Sequence, residues 1–140
     1  TGTLATVSLS SVGKILLARE SDATILRIAR HANAVDPVSR SRVHPQSLLE
    51  QIREGQARGW AESHEFPSPG HCSIAAALPL IPGQPPLGLC LGSSTAFMHR
   101  ERPSLVTALM RACERFELMT QRARHAAGAI EIFPASPAGC

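Results

Sequence analysis

The sequence predicts an α+β fold built around an antiparallel sheet. Three observations carry that expectation. Cys72–Leu80 and Leu87–Gly92 are runs of small apolar residues joined by a Pro/Gly-rich turn, which is the pattern of a buried hairpin. Leu105, Leu109, Cys113 and Phe116 recur at spacings of 4, 4 and 3, which is one face of a long helix. Helical and extended stretches are mixed along the chain, and the strands are tied by short turns, so they pair antiparallel.

The elements follow in order. Thr3–Ser8 alternates weakly and reads as a strand. Ser10–Glu20 reads as a helix with Ser10 as N-cap and Val12, Ile15, Leu16 and Ala18 near one face. Ser21 and Asp22 open a second helix to about His31, with Ile25, Leu26, Ile28 and Ala29 apolar. Asn33–Val43, polar and carrying Pro37, reads as a loop. Pro45 sets the first turn of a third helix that Gly59 ends, burying Leu48, Leu49 and Ile52. Strands are expected over Gly59–His64, Cys72–Leu80 and Leu87–Gly92, with the connector Phe66–Gly70 a turn. The long helix is expected over Glu101 to about Arg124. The domain is placed at residues 1–125, followed by a tail over 126–140. That tail is either disordered or paired along a sheet edge through Ile130–Phe133.

The 140 residues suffice for one domain with a real core. The net charge is only +3, and the arginines are scattered rather than gathered on one helix face, which argues against direct nucleic-acid contact. No apolar run reaches transmembrane length and no signal peptide is visible, so a cytoplasmic protein without membrane contact is expected. The four cysteines follow no disulfide framework and read as reduced thiols. There is no nucleophile elbow, phosphate loop or pair of carboxylates on one face, so no enzyme and no cofactor is expected.

Small side chains along the hairpin leave room, and Ser73 and Cys90 give that room polar atoms, which together suggest a binding cavity. The turn Leu9-Ser10-Ser11-Val12 precedes a helix, whose first N–H groups and dipole suit a carboxylate, although Ser10 can equally serve only as the cap. Cys72 should face away from Ser73 by strand alternation. His71 lies at the turn into its strand, where it lines the cavity mouth or merely caps. Trp60 reads as core or interface, and Lys14 as pointing outward.

Four segments carry a family resemblance. Ser10-Ser11-Val12-Gly13-Lys14-Ile15-Leu16-Leu17-Ala18 resembles the A-x-G-K-A-L-L-A signature of IclR-type transcriptional regulators. Arg53-x5-Gly59-Trp60 is similar to the family's R-x-x-G-[YW], with a longer spacing. Pro69–Leu80 resembles its G-x-x-[CS]-I-A-A-P-[VI] strand, and Leu87–Gly92 its following strand. Together with the closing helix they span Gly2 to Arg122.

The resemblance implies a GAF/profilin-like effector-binding domain: a twisted antiparallel sheet with helices packed on it and a pocket above the sheet. It implies a small organic effector, homo-oligomers (dimer or tetramer), and operator DNA bound through a winged helix-turn-helix outside this chain. The chain begins at Thr1, so an N-terminally truncated effector domain is expected, with the sheet edge left open by absent strands covered by the tail or by a partner subunit. Effector contacts are placed at Leu9, Ser10, Ser11, Val12, Ser63, His71, Ser73, Leu89 (or Leu91), Cys90 and Gly92. Cys90 and Gly92 stand where the family commonly has serines, which favours a ligand with an apolar or aromatic body; a carboxylate on that ligand is expected at the start of the Ser10 helix. Two other readings stay open. One is a ligand-free dimerisation module. The other is a zinc-binding domain using His64, His71, Cys72 and Cys90, which lack paired ligand spacing.

Overall fold

The computed structural model describes residues 10–35 and 43–131. In chain order it contains α1 (Ser11–Leu17), α2 (Asp22–Val35), α3 (Pro45–Arg58), β1 (Ala61–His64), β2 (His71–Ala77), β3 (Gly88–Ser94) and α4 (Thr95–Glu131). Among the described residues the strands form one antiparallel sheet in the order β1-β2-β3. The α+β architecture expected from the sequence is the architecture observed.

The helix ends obey local rules. The Ser10 hydroxyl accepts from the Gly13 N–H at 2.9 Å and caps α1. Ser21 caps α2 by accepting from Thr24 N–H at 3.2 Å. Pro45 occupies the first turn of α3, and Gly59, at φ 90°, closes it by donating to the Gly55 carbonyl at 2.9 Å. A left-handed residue at that position favours glycine.

Helix α2 continues past His31 to Val35, so Asn33 is helical rather than the start of a loop. Its amide holds Val43 at both backbone groups, donating to the carbonyl at 2.7 Å and accepting from the N–H at 2.8 Å. Helices α2 and α3 bury Ile25, Ala29, Leu48, Leu49 and Ile52 against Leu17 and Ala18 of the first helical segment. Arg53 locks this layer to the end of α1. Its guanidinium donates to the Ala18 carbonyl at 2.9 Å and the Glu20 carbonyl at 2.8 Å, and pairs with Asp22.

Strand alternation sorts the sheet into two faces. The register sets Ala61 opposite Ala75 and Ser63 opposite Ser73, then Ser73 opposite Gly92 and Ala75 opposite Cys90. These residues face α1, where Ile15 packs on Ala61 and Ala75. The intervening residues Cys72, Ile74 and Ala76 face α4 and bury Met98, Leu109 and Cys113. Leu105 and Phe116 pack around that cluster, as their helical spacing predicts. Gly88 is needed here for closeness rather than for φ: a Cβ on it would lie 3.2 Å from Val12 Cγ1.

Strand and helix boundaries differ from expectation in several places: α1 ends at Leu17 rather than Glu20, and β2 spans His71–Ala77 rather than Cys72–Leu80. Strand β1 begins at Ala61, after Gly59 and Trp60. Strand β3 runs on to Ser94, and α4 starts at Thr95, not Glu101, with Ser94 Oγ accepting from Phe97 N–H at 3.2 Å. Pro103 therefore lies inside α4. The helix also continues through Ala126–Glu131, so Ile130 and Glu131 are helical and not an edge strand. Thr3–Ser8, Leu9, residues 36–42 and the rest of the tail lie outside the described residues.

Candidate functional site

Three buried or half-buried hydroxyls and a thiol connect α1 to the sheet in a row. Ser63 Oγ and Ser73 Oγ are 2.7 Å apart, Ser73 Oγ and Ser11 Oγ are 2.7 Å apart, and Ser11 Oγ lies 3.6 Å from Cys90 Sγ. The row exists because Ser63 and Ser73 are cross-strand partners on the α1 face and Ser11 is in the first turn of the helix above them. Ser11 and Ser63 are each 1% exposed, so their polar atoms depend on one another rather than on water. Four X–H groups share three contacts, which leaves one hydrogen to be given outside the row. The row can run in either sense, offering a donor or an acceptor to a molecule beside Ser11 and Cys90.

Beside it is a cavity of about 280 Å³. Its walls are Ser10, Ser11 and Val12 from α1, Phe66 and Pro67 from the β1–β2 turn, His71, Cys72 and Ser73 from β2, and Cys90 and Gly92 from β3. Among the described residues no lysine, arginine or carboxylate lines it. At Gly92 a Cβ would meet nothing within 4 Å, so the cavity is open there. The turn that carries Phe66 is closed by Glu65, whose carboxylate accepts from Gly70 N–H at 2.7 Å and from Thr95 Oγ1 at 3.2 Å. A larger hollow of about 400 Å³ on α4 is lined by Pro103, Ser104, Thr107, Ala108 and Arg111, all on the exposed side of that helix. It has no polar group converging from a second element, and we give it no functional weight.

The structure brings together seven of the residues singled out in the sequence: Ser10, Ser11, Val12, His71, Ser73, Cys90 and Gly92. Ser63 is placed beneath them, bonded to Ser73 and not at the cavity wall. Leu9 lies outside the described residues. Leu89 and Leu91 are on the wrong face: odd-numbered positions of β3 point toward α4, where both pack against the second core cluster. Leu89 lines a separate apolar groove of about 300 Å³ with Phe116 and Met119. Phe66 and Pro67 were not anticipated; the turn signal was visible, but not its position over the cavity.

Two backbone N–H groups in the first turn of α1 are already occupied. Gly13 N–H is taken by Ser10 Oγ, and Lys14 N–H by the Ser10 carbonyl. Lys14 does not point outward. It is 8% exposed and its ammonium donates to the Glu62 carbonyl at 2.9 Å, occupying an acceptor of strand β1. Burial lowers its pKa, and the nearby Glu62 carboxylate only partly offsets this.

On the opposite face Glu62 accepts from Arg102 Nε at 3.1 Å and Nη2 at 2.8 Å. Cys72 lies against the same carboxylate, and burial together with that hydrogen bond pushes its thiol pKa up to about 11. The four-residue metal set considered from the sequence is split. His64 and Cys72 meet here with Glu62, while His71 and Cys90 line the cavity on the other side of the sheet.

Comparison with known proteins fits this geometry. The family described as "Bacterial transcriptional regulator IclR C-terminal" matches residues 1–116. The fold is similar to the effector domain of the transcriptional regulator IclR from Acinetobacter sp. ADP1 (TM-score 0.72, 21% identity, 79% of this chain and 64% of that one). It is also similar to the C-terminal domain of the E. coli transcriptional regulator KdgR (0.60, 21%, 78% and 66%) and to the Agrobacterium tumefaciens repressor BlcR (0.61, 20%, 78% and 45%). The chain thus spans two thirds or less of the length of these structures. No curated protein matches. Among the described residues no helix is long and apolar enough to cross a membrane. Domains of this family are regulatory rather than catalytic, and generally bind effectors. With a family match over residues 1–116, the chain belongs to the C-terminal domains of the bacterial IclR-type transcriptional regulators.

Proposed function

We propose that this domain, residues 1–125 in the simplest division, binds a small organic effector in the cavity between α1 and the sheet. The observation that carries the reading is the serine row ending at an open apolar cavity. Ser11 and Cys90 sit at its wall, and Val12, Phe66 and Pro67 supply apolar surface around them. A cavity of about 280 Å³ suits a ligand of modest size with an apolar body and one hydrogen-bonding head group. A carboxylate head would rest on hydroxyl and imidazole donors, since among the described residues no cationic side chain lines the wall.

In the parent regulator we infer homo-oligomers and a winged helix-turn-helix, outside this chain, that contacts operator DNA. A ligand that prefers one arrangement of subunits would shift that equilibrium by its differential affinity.

Thermal shift against matched pairs of small carboxylates and their neutral amides tests the site. A dose-dependent rise in melting temperature for one chemical group, lost in Gly92→Val, is the expected result. Valine fits the extended backbone and fills the open space, so the variant keeps its fold while losing the ligand. No shift across the panel with a folded protein overturns the assignment and favours a ligand-free dimerisation module; a shift that survives Gly92→Val overturns it by placing the ligand outside this cavity.

A further inference from the structure

Glu62 and His64 are two residues apart on β1 and share the α4 face of the sheet. Cys72 stands opposite His64 in the β1–β2 register. Three different kinds of metal donor therefore converge from two adjacent strands. Cys72 Sγ lies 3.4 Å from Glu62 Oε1 and 3.6 Å from His64 Nδ1, and His64 Nε2 lies 3.6 Å from Glu62 Oε2. A tetrahedral zinc ion, with bonds of about 2.0–2.3 Å, sets its donor atoms about 3.3–3.6 Å apart. These gaps run through both carboxylate oxygens and both ring nitrogens; with one ligand atom taken from each residue, all three lie within 4.8 Å of one another, and rotation of the His64 ring and the Glu62 carboxylate closes them to a coordination shell.

We propose that Glu62, His64 and Cys72 form a zinc site with an open fourth position. Thiolate, imidazole and carboxylate together favour zinc over magnesium or calcium, which take all-oxygen shells. His64 gives access, because its side chain is 52% exposed while Glu62 is 11% exposed. A half-exposed ring also turns freely enough to present one nitrogen to both neighbours.

Charge balance is compatible with the nearby guanidinium. Zinc with one thiolate and one carboxylate is net neutral, so Arg102 meets no excess positive charge. Arg102 holds Oε1 and leaves Oε2 turned toward His64, which is the orienting part an outer-shell partner plays at metal sites. On binding, the thiol proton passes to solvent and the Cys72 sulfur becomes the ligand. Cys72 also reaches the cavity wall, but Glu62 and His64 do not line it, and the site does not depend on the effector reading.

The test uses the whole chain titrated with Zn²⁺ and, as a spectroscopic probe, Co²⁺. One equivalent of Zn²⁺ should survive gel filtration, and Co²⁺ should give a thiolate-to-metal charge-transfer band. His64→Gln, at an exposed ring, should weaken binding at least about tenfold, and Cys72→Ser should abolish the band. His71→Gln should change neither. If Cys72→Ser does not fold, His64→Gln decides alone. A wild-type chain that retains no zinc, a cobalt spectrum without the thiolate band, or a His64→Gln variant that binds as tightly as wild type each overturns the proposal.

Discussion

Ser11 Oγ lies 2.7 Å from Ser73 Oγ, a bond that joins positions 62 apart in sequence and pins the first turn of α1 to the middle strand. Ser73 also holds Ser63 at 2.7 Å, so it is the centre of the row. Ser73→Ala removes both contacts, taking Ser63 out of the row and leaving Ser11 with the weaker Cys90 contact, at a cost of about 1–3 kcal/mol. Ser11→Ala leaves the Ser63–Ser73 bond intact and should cost less. Urea denaturation of both single variants and the double variant should show non-additivity of about 0.5 kcal/mol or more. Strict additivity would mean that the hydroxyls do not act together.

Two glycines of β3 should respond oppositely to the same change. A Cβ at Gly88 meets Val12 Cγ1 at 3.2 Å and the Ala76 carbonyl at 3.5 Å, so Gly88→Ala pushes α1 from the sheet. That overpacking should cost about 1–3 kcal/mol. Gly92→Ala projects into open space and should stay within about 0.5 kcal/mol of wild type. Melting temperatures of the two variants, measured side by side, check the contrast.

Arg53 bridges two carbonyls at the end of α1, Gln56 and Asp22. A lysine keeps the charge but not the fork of donors. Arg53→Lys should therefore lose about 1–3 kcal/mol, almost as much as Arg53→Ala. A lysine variant as stable as wild type would assign the effect to charge alone.

The Cys72 thiol titrates near 11 in the folded chain against the usual 9.0. Its folded value is raised, so the stability it contributes is complete below pH 9 and falls as pH rises toward 11. Two pKa units leave about one hundredth of the ordinary thiolate population at pH 8. Iodoacetamide at that pH, followed by peptide mapping, should label Cys72 at least about 100-fold more slowly than an unfolded control. Comparable rates in the two states would contradict the packing against Glu62.

Much of the fold was legible because it rests on local rules. Ser10 as a cap, Pro45 and Gly59 as the bounds of α3, and the opposite orientation of Cys72 and Ser73 follow from short-range geometry. The 4, 4, 3 spacing from Leu105 to Phe116 did the same for α4. The start of α4 was hidden because Ser93 and Ser94 resemble a turn and Pro103 resembles a first-turn proline. The Ser94 hydroxyl cap and the tertiary contact between Thr95 N–H and the Gly70 carbonyl, 2.9 Å, mark the earlier start.

Within the site, parity explains the hits and the miss. On β3 the residues opposite Ser73 and Ala75, Gly92 and Cys90, reach the cavity, whereas Leu89, one place from Cys90, must face away. Lys14 was misread for a different reason. It looked like an outward-pointing charge, yet the β1 edge, distant in sequence, takes its ammonium at the Glu62 carbonyl. The course of the Phe66–Pro67 turn over the cavity likewise depends on Glu65 reaching Gly70 and Thr95.

Helix α4, with 37 residues, is about 55 Å long, whereas a seven-residue strand spans about 23 Å. Its buried anchors, Met98, Leu109 and Cys113, all lie in its first half, and residues 121–128 are exposed. The helix is therefore a lever with its fulcrum at the sheet. A tilt of about 5° at Cys113 carries the far end, about 27 Å away, through about 2 Å. Shifts in the sheet too small to disturb its hydrogen bonds arrive at that end magnified.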